Sequence, residues 1–100
     1  MAAKYTIDEI KSIIAPIAKR YGVAKVSVFG SYAKGTADED SDVDLLIEKG
    51  DLRSLFTLTE LIYECQDALG TPVDIVTTTA RDQSFVEKIS RGKVDIYARA

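Results

Sequence analysis

Short strand patterns that alternate with helical periodicity constrain the fold of this chain more than any other feature of its sequence. Strand patterns are short apolar runs, some with period two, whereas helical patterns repeat apolar residues every three or four positions. Four strand patterns occur, at residues 25–29, 43–47, 73–77 and 94–97. Two of the helical patterns are long enough to cover one face of a sheet. We therefore predict one domain spanning residues 1–100 with an α/β (α+β) fold, in which helices pack on a sheet of three to four strands.

The first helix is predicted from a capping box followed by an apolar stripe. Thr6 and Glu9 have the spacing of the box, and Gly22 suits the position just after the helix end. Pro16 lies inside the pattern and has no backbone N–H to donate, so we expect either a kink or two shorter helices. The stripe that packs on the core comprises Ile7, Ile10, Ile13, Ile14, Ile17 and Tyr21.

A second long helix is predicted over residues 52–69, closed by Gly70 and Pro72. Cys65 lies on its apolar stripe, which favours core packing over a role as nucleophile. Leu52 and Phe56 are expected to complete the core. Together with Tyr63, they are alternatively candidates for contact with another protein. A last helix is predicted to be capped by Asp82 and to end at Gly92, before a strand at the edge of the sheet.

Composition excludes several kinds of site. The chain has no histidine, so catalytic sites built on histidine and histidine-ligated zinc are absent. Its single cysteine fits a reducing compartment, which we take to be the cytoplasm. The balance of 13 basic and 16 acidic residues argues against binding to long nucleic acids. No apolar run approaches the about 20 residues of a membrane span, and the first residues do not resemble a secretory signal.

A glycine-serine turn directly after a predicted strand is the first candidate for chemistry. The strand ends at Phe29 and the chain turns at Gly30, where the missing Cβ lets a bulky anion approach the backbone. A short helix starting at Ser31 would point free N–H groups at that anion, and the Ser31 hydroxyl adds a donor. Lys34 adds a positive charge one turn later. These three residues are the predicted phosphate contacts.

Two aspartates on the next predicted strand are the second candidate. Asp42 and Asp44 are two residues apart, and alternation along a strand would point both carboxylates the same way. Such a pair needs a cation, a shared proton or good solvation. Oxygen ligands favour a hard ion such as Mg²⁺, which typically binds carboxylates together with substrate phosphates. A phosphate-holding turn beside this pair is therefore a coherent site for a magnesium nucleotide.

Asp74, in an otherwise apolar strand, would complete a triad if that strand neighbours the one with Asp42 and Asp44. Three carboxylates can hold two metal ions. Each signal alone also has an interpretation without function. The glycine-serine pair would then form an ordinary turn that binds nothing, and Asp74 would lie at a strand end facing water. Residues 38–40 are interpreted as a solvated acidic loop. The combination of all three signals favours a site.

This combination resembles the signature of the polymerase-beta-like nucleotidyltransferase superfamily. Gly30 and Ser31 are followed after ten residues by Asp42 and Asp44, and the short chain is similar to the minimal nucleotidyltransferase (MNT) branch. The resemblance implies a nucleotidyltransferase-type mixed sheet. It also implies that Gly30 and Ser31 contact nucleotide phosphates and that Asp42, Asp44 and Asp74 are the catalytic metal ligands. Arginine is frequent in the family where this chain has Lys34.

The resemblance further implies a mechanism: transfer of a nucleotidyl group from ATP or another NTP with two Mg²⁺ ions. MNT proteins are commonly paired with a HEPN-domain toxin, and some transfer AMP to a tyrosine of that toxin. We therefore expect a protein adenylyltransferase that acts as an antitoxin, in a homo- or hetero-oligomer. A non-catalytic antitoxin that neutralises its partner by contact is the alternative. A nucleotidyltransferase of small molecules is a third hypothesis, weakened by the lack of a second domain.

Overall fold

Four strands and four helices make up the computed structural model, which describes residues 3–99. In chain order they are α1 (Ile7–Arg20), β1 (Lys25–Phe29), α2 (Gly30–Lys34), β2 (Val43–Glu48), α3 (Leu55–Leu69), β3 (Val73–Thr77), α4 (Gln83–Ser90) and β4 (Val94–Ala98). The predicted mixed fold with helices packed on a sheet is confirmed. No helix within residues 3–99 is long and apolar enough to cross a membrane.

The sheet has the strand order β3-β2-β1-β4. β1 runs antiparallel to both β2 and β4, whereas β2 and β3 are parallel. A parallel pair needs a crossover connection, which α3 supplies. β4 lies at an edge, as predicted, and β3 forms the other edge.

The hydrophobic core lies between one face of the sheet and the helices α1 and α3. Alternation along the strands places apolar side chains on this face, and α1 and α3 close it from outside. Cys65 is fully buried there, which confirms its predicted packing role. The main buried members are Ile10, Ile14, Ile17, Val26, Val28, Val43, Leu45, Ile47, Leu61, Cys65 and Leu69.

The capping box predicts the start of α1 correctly. The Thr6 hydroxyl accepts from the Glu9 backbone N–H, and the Glu9 carboxylate accepts from the Thr6 N–H. α1 continues through Pro16 as one helix, so the alternative of two shorter helices is wrong. Packing of Ile14 and Ile17 on either side of the proline offsets the lost hydrogen bond.

Three further expectations are corrected by the structure. α3 begins at Leu55 rather than at residue 52, because the Ser54 hydroxyl caps it by accepting from the Thr57 N–H. Leu52 is buried in the preceding loop, whereas Phe56 is 75% exposed and does not complete the core. β2 begins at Val43, so Asp42 lies just before the strand and not on it.

Candidate active site

Two aspartates meet where the parallel strands β2 and β3 lie side by side. Asp44 is the register partner of Asp74, and register partners of a parallel pair project from the same face, about 4.8 Å apart between strands. The predicted neighbourhood of these two residues is thus present. Asp44 is half-buried, whereas Asp74 is exposed on the edge strand.

The surroundings of Asp44 disfavour its negative charge. Burial raises the pKa of this carboxyl above the usual range, and the charges of Asp74 and Asp42 and a hydrogen bond with Asp74 raise the pKa further. Among residues 3–99, none of the three aspartates forms an ion pair with a lysine or an arginine. A cation bound here would relieve this like-charge crowding.

Gly30 packs directly against the Asp44 carboxylate. Its φ of 71° lies in the left-handed region, where a side chain is strained. A Cβ built there would overlap the Asp44 Oδ2 atom and lie 3.2 Å from Asp44 Cγ. Both the positive φ and the lack of room for a Cβ therefore require glycine at position 30. The same close approach places the turn directly beside the Asp44 carboxylate.

The turn continues as the short helix α2, as the sequence predicts. The first backbone N–H groups of a helix lack intrahelical partners, and the N-cap residue Phe29 provides no side-chain hydrogen bond to them. Ser31 is half-buried on the first turn, and Lys34 is exposed on the last. α2 packs against both β1 and β2, which brings the turn and the aspartates to one side of the molecule.

Tyr32 of α2 points into the core rather than towards solvent. Its side chain is buried as a member of the core cluster. Within the described part of the chain its hydroxyl has no hydrogen-bond partner.

The acidic loop before β2 is exposed, which confirms its predicted solvation. Asp38 organises it: its carboxylate accepts from the Asp40 N–H, and its own N–H donates to the Ser41 hydroxyl. Asp42 follows this turn and is exposed. The loop thus delivers Asp42 to the end of β2 at which Asp44 lies.

The three aspartates do not form a closed metal centre. Among residues 3–99, no set of three carboxylate, thiol or imidazole groups is arranged to hold a metal ion. The donor chemistry nevertheless suits a hard divalent cation, because Asp42, Asp44 and Asp74 provide only oxygen atoms. Asp44 and Asp74 form the paired part of the arrangement, and Asp42 is close enough for its charge to act on Asp44.

A polar cluster that the sequence analysis did not single out lies on the same face of the sheet. Ser27 is the register partner of Leu46, which alternation places on the Asp44 side of β2. The buried Ser27 hydroxyl donates to Asp95 Oδ1 over 2.6 Å, and Lys93 and Lys25 pair with the same carboxylate. Asp95 within an apolar strand was the only sequence signal for it.

Comparisons with known proteins point to one family. A family model described as a nucleotidyltransferase domain matches residues 9–97. A Methanocaldococcus jannaschii protein that carries the name of a protein adenylyltransferase is 40% identical over 90 residues, covering 90% of this chain and 97% of its own length. The protein adenylyltransferase MntA of Thermococcus cleftensis is 36% identical, covering 89% of this chain and 94% of the relative.

Solved structures share the fold. One described as a minimal nucleotidyltransferase superposes with a TM-score of 0.77 at 29% identity, covering 93% of this chain and 98% of the other. A toxin–antitoxin structure with AMP-PNP gives a TM-score of 0.78 at 20% identity, and the match covers 89% of this chain and 73% of the other. The tri-AMPylated HEPN toxin of Shewanella oneidensis in complex with MNT antitoxin gives 0.73 at 16% identity, covering 94% and 74%. The last two show the fold alone.

Proposed function

This chain belongs to the nucleotidyltransferase domain family, and from that membership we propose that it is a protein adenylyltransferase that neutralises a HEPN-domain toxin. In the proposed reaction AMP moves from ATP to a hydroxyl of the toxin, which we take to be that of a tyrosine. The observation that carries the proposal is the pairing of Asp44 with Asp74 across β2 and β3, beside Gly30. The two relatives that are named protein adenylyltransferases support a protein as acceptor.

We assign the triphosphate of ATP to α2. The uncapped N–H groups at the start of α2 and the Ser31 hydroxyl are donors for phosphate oxygens. Gly30 leaves the backbone open at the point of closest approach. Lys34, one turn later, contributes a positive charge without the paired donors of an arginine.

The family generally uses a divalent metal, and we propose two Mg²⁺ ions held by Asp42, Asp44 and Asp74. Asp42 and Asp44 would bind one ion, and Asp74 would contribute to the second. Bound Mg²⁺ supplies charge neutralisation for the triphosphate and the leaving pyrophosphate. The all-oxygen donor set and the crowded charge around Asp44 support a hard cation at this position.

Asp74 is the proposed acceptor of the proton. The toxin's hydroxyl oxygen forms a bond to the α-phosphorus of ATP, the bond from that phosphorus to the α–β bridging oxygen breaks, and pyrophosphate leaves. The hydroxyl proton passes to the Asp74 carboxylate. Because Asp74 is exposed on an edge strand, a hydroxyl on another protein can reach it.

The proposal also covers the setting of the reaction. Residues 1–100 would act as one domain in an assembly with the toxin, which supplies the acceptor side of the site. The reaction would take place in the cytoplasm, where ATP is available.

The test is transfer of label from ATP labelled in its α-phosphate to the purified cognate HEPN toxin in the presence of Mg²⁺. We expect label on the toxin with the wild-type chain and none with Asp44→Asn, because the substitution removes the metal-binding charge. A wild-type chain that binds the toxin but transfers no label would refute the proposal. If Asp42→Asn/Asp44→Asn neutralised the toxin fully, contact alone would account for the antitoxin activity.

A further inference from the structure

The outer side of α3 exposes large apolar side chains at the positions furthest from the core. Phe56 is 75% exposed and Tyr63 is 61% exposed, although both are aromatic. At about 100° per residue they lie on one stripe, opposite the buried Leu61 and Cys65. Leu55, which is 79% exposed, borders this stripe at the start of the helix. Aromatic residues grouped in this way on a solvent-facing helix are typical of protein interfaces.

The same stripe is acidic. Glu60 and Asp67 fall within an arc of about 60° together with Phe56 and Tyr63, and we call these four residues the α3 outer face. α3 contains no lysine or arginine. The third acidic residue, Glu64, pairs with Arg20 of α1, whereas Glu60 and Asp67 form no ion pair within residues 3–99.

The α3 outer face is separate from the candidate active site. α3 follows the end of β2 and returns the chain to the start of β3, which lies level with Asp44. Phe56 is therefore at the end of α3 remote from the aspartates, and a helix of 15 residues is about 22 Å long. In addition, α3 covers the core side of the sheet, whereas Asp44 and Asp74 project from the other.

We propose that the α3 outer face is the docking surface for the partner protein, and that the partner's contact surface carries apolar side chains flanked by lysine or arginine. The negative charge of the face favours a basic partner, because Glu60 and Asp67 form no ion pair with a lysine or arginine within residues 3–99. A second copy is a poorer match: a two-fold antiparallel pairing would bring the two Glu60 carboxylates together near the axis. The inference rests on the proposed function for the identity of the partner.

Titration calorimetry with the purified cognate HEPN toxin tests the proposal. We expect Phe56→Ala/Tyr63→Ala to weaken the Kd at least about 30-fold, as the loss of interface aromatics does. Phe85→Ala is the matched control, because Phe85 is an exposed aromatic of α4 outside this face, and it should leave the Kd unchanged. Circular dichroism verifies that the variants are folded.

Charge is tested separately with Glu60→Lys. This variant should bind the toxin more weakly at low salt, and the salt dependence of its Kd should be smaller than that of the wild type. Wild-type affinity in the double aromatic variant would overturn the inference. So would a wild-type chain that forms a dimer which the double aromatic variant dissociates.

Docking and catalysis have distinct readouts. Asp44→Asn should keep the wild-type Kd for the toxin while losing AMP transfer. The double aromatic variant should raise the KM for the toxin and retain kcat at saturating toxin. Transfer that fails despite normal binding refutes the proposed function alone, whereas unchanged binding by the double aromatic variant refutes the docking surface alone.

Discussion

At the scale of single residues, Gly30 and Asp44 depend on one another. Gly30 adopts a left-handed conformation, and its hydrogen occupies the only space that the Asp44 carboxylate leaves. A glycine at this turn is therefore needed both for the backbone and for the placement of the Asp44 carboxylate. A glycine–serine pair in sequence shows the first requirement, but not the second.

Replacing Gly30 by alanine should damage both the fold and the site. The left-handed conformation costs a non-glycine residue about 1–2 kcal/mol, and the overlap with Asp44 adds to that. The free energy of unfolding in urea should fall by more than this, and AMP transfer should be lost. Gly92→Ala is the matched control, since Gly92 has a φ of 78° and nothing within 4 Å of a Cβ. Equal losses of stability in the two variants would contradict the role of the overlap.

Asp44→Asn should separate stability from activity. The native carboxylate is half-buried beside two like charges, so its removal relieves repulsion while the amide keeps the shape. We expect an unchanged or higher Tm in metal-free buffer together with loss of transfer, a pattern found where sites store unfavourable charge. A clear fall in the Tm of this variant would show that Asp44 serves the fold instead.

At the scale of elements, the cluster around Asp95 joins the edge strand β4 to β1. Hydrogen bonds from Ser27, Lys93 and Lys25 hold the pKa of Asp95 well below the usual range. The register of β1 and β4 shifts between Val26 and Ser27, and the cluster connects the strands directly beside this irregularity. We infer that it keeps the edge strand paired.

A pH dependence of stability follows from the lowered pKa of Asp95. A carboxyl with a depressed folded-state pKa stabilises the fold above its unfolded value of about 3.9 and loses this contribution as the pH falls towards the folded value. Asp95→Asn should therefore lower the free energy of unfolding at pH 6, and the difference from wild type should shrink below about pH 4. Urea titrations of both proteins from pH 6 to pH 3 measure it. A difference that is constant over this range would contradict the assignment.

At the scale of the whole molecule, the two long helices α1 and α3 and the carboxylates occupy opposite sides of one sheet. α1 and α3 bury the core on one side, and the other side carries Asp44, Asp74 and the Asp95 cluster. Because the two lie on opposite sides of the sheet, a substitution in the proposed docking surface should leave the proposed active site intact, and the reverse. It also places Cys65 at the centre of the core, away from both.

Cys65 reports on opening of the whole structure. Its thiol is fully buried, and burial raises its pKa to about 12. Because the thiolate is the reactive form, labelling at pH 8 should be very slow in the native state and should require unfolding of the core. The labelling rate with a thiol reagent should rise with urea in parallel with the unfolded fraction. Rapid labelling without denaturant would indicate local opening of α3.

The sequence by itself determined the elements and the candidate residues. Local signals carry this information: the capping box at Thr6, the period-two strands, and the glycine turn before Ser31 depend on near neighbours in the chain. Leu52 completes the core as expected. Three other local expectations were wrong: Asp42 lies outside the strand, Leu52 lies outside the helix, and Phe56 is exposed. Helix and strand ends and the burial of a side chain depend on what packs against them.

Only the tertiary structure decided which residues meet. Asp44 and Asp74 are 30 positions apart, and no local pattern specifies that β2 and β3 pair in parallel with these two residues in register. The exposure of Phe56 depends on which side of α3 the sheet covers, and the partnership of Ser27 with Asp95 depends on the register of β1 and β4. Side-chain chemistry is local, whereas long-range strand pairing and packing decide where that chemistry is brought together.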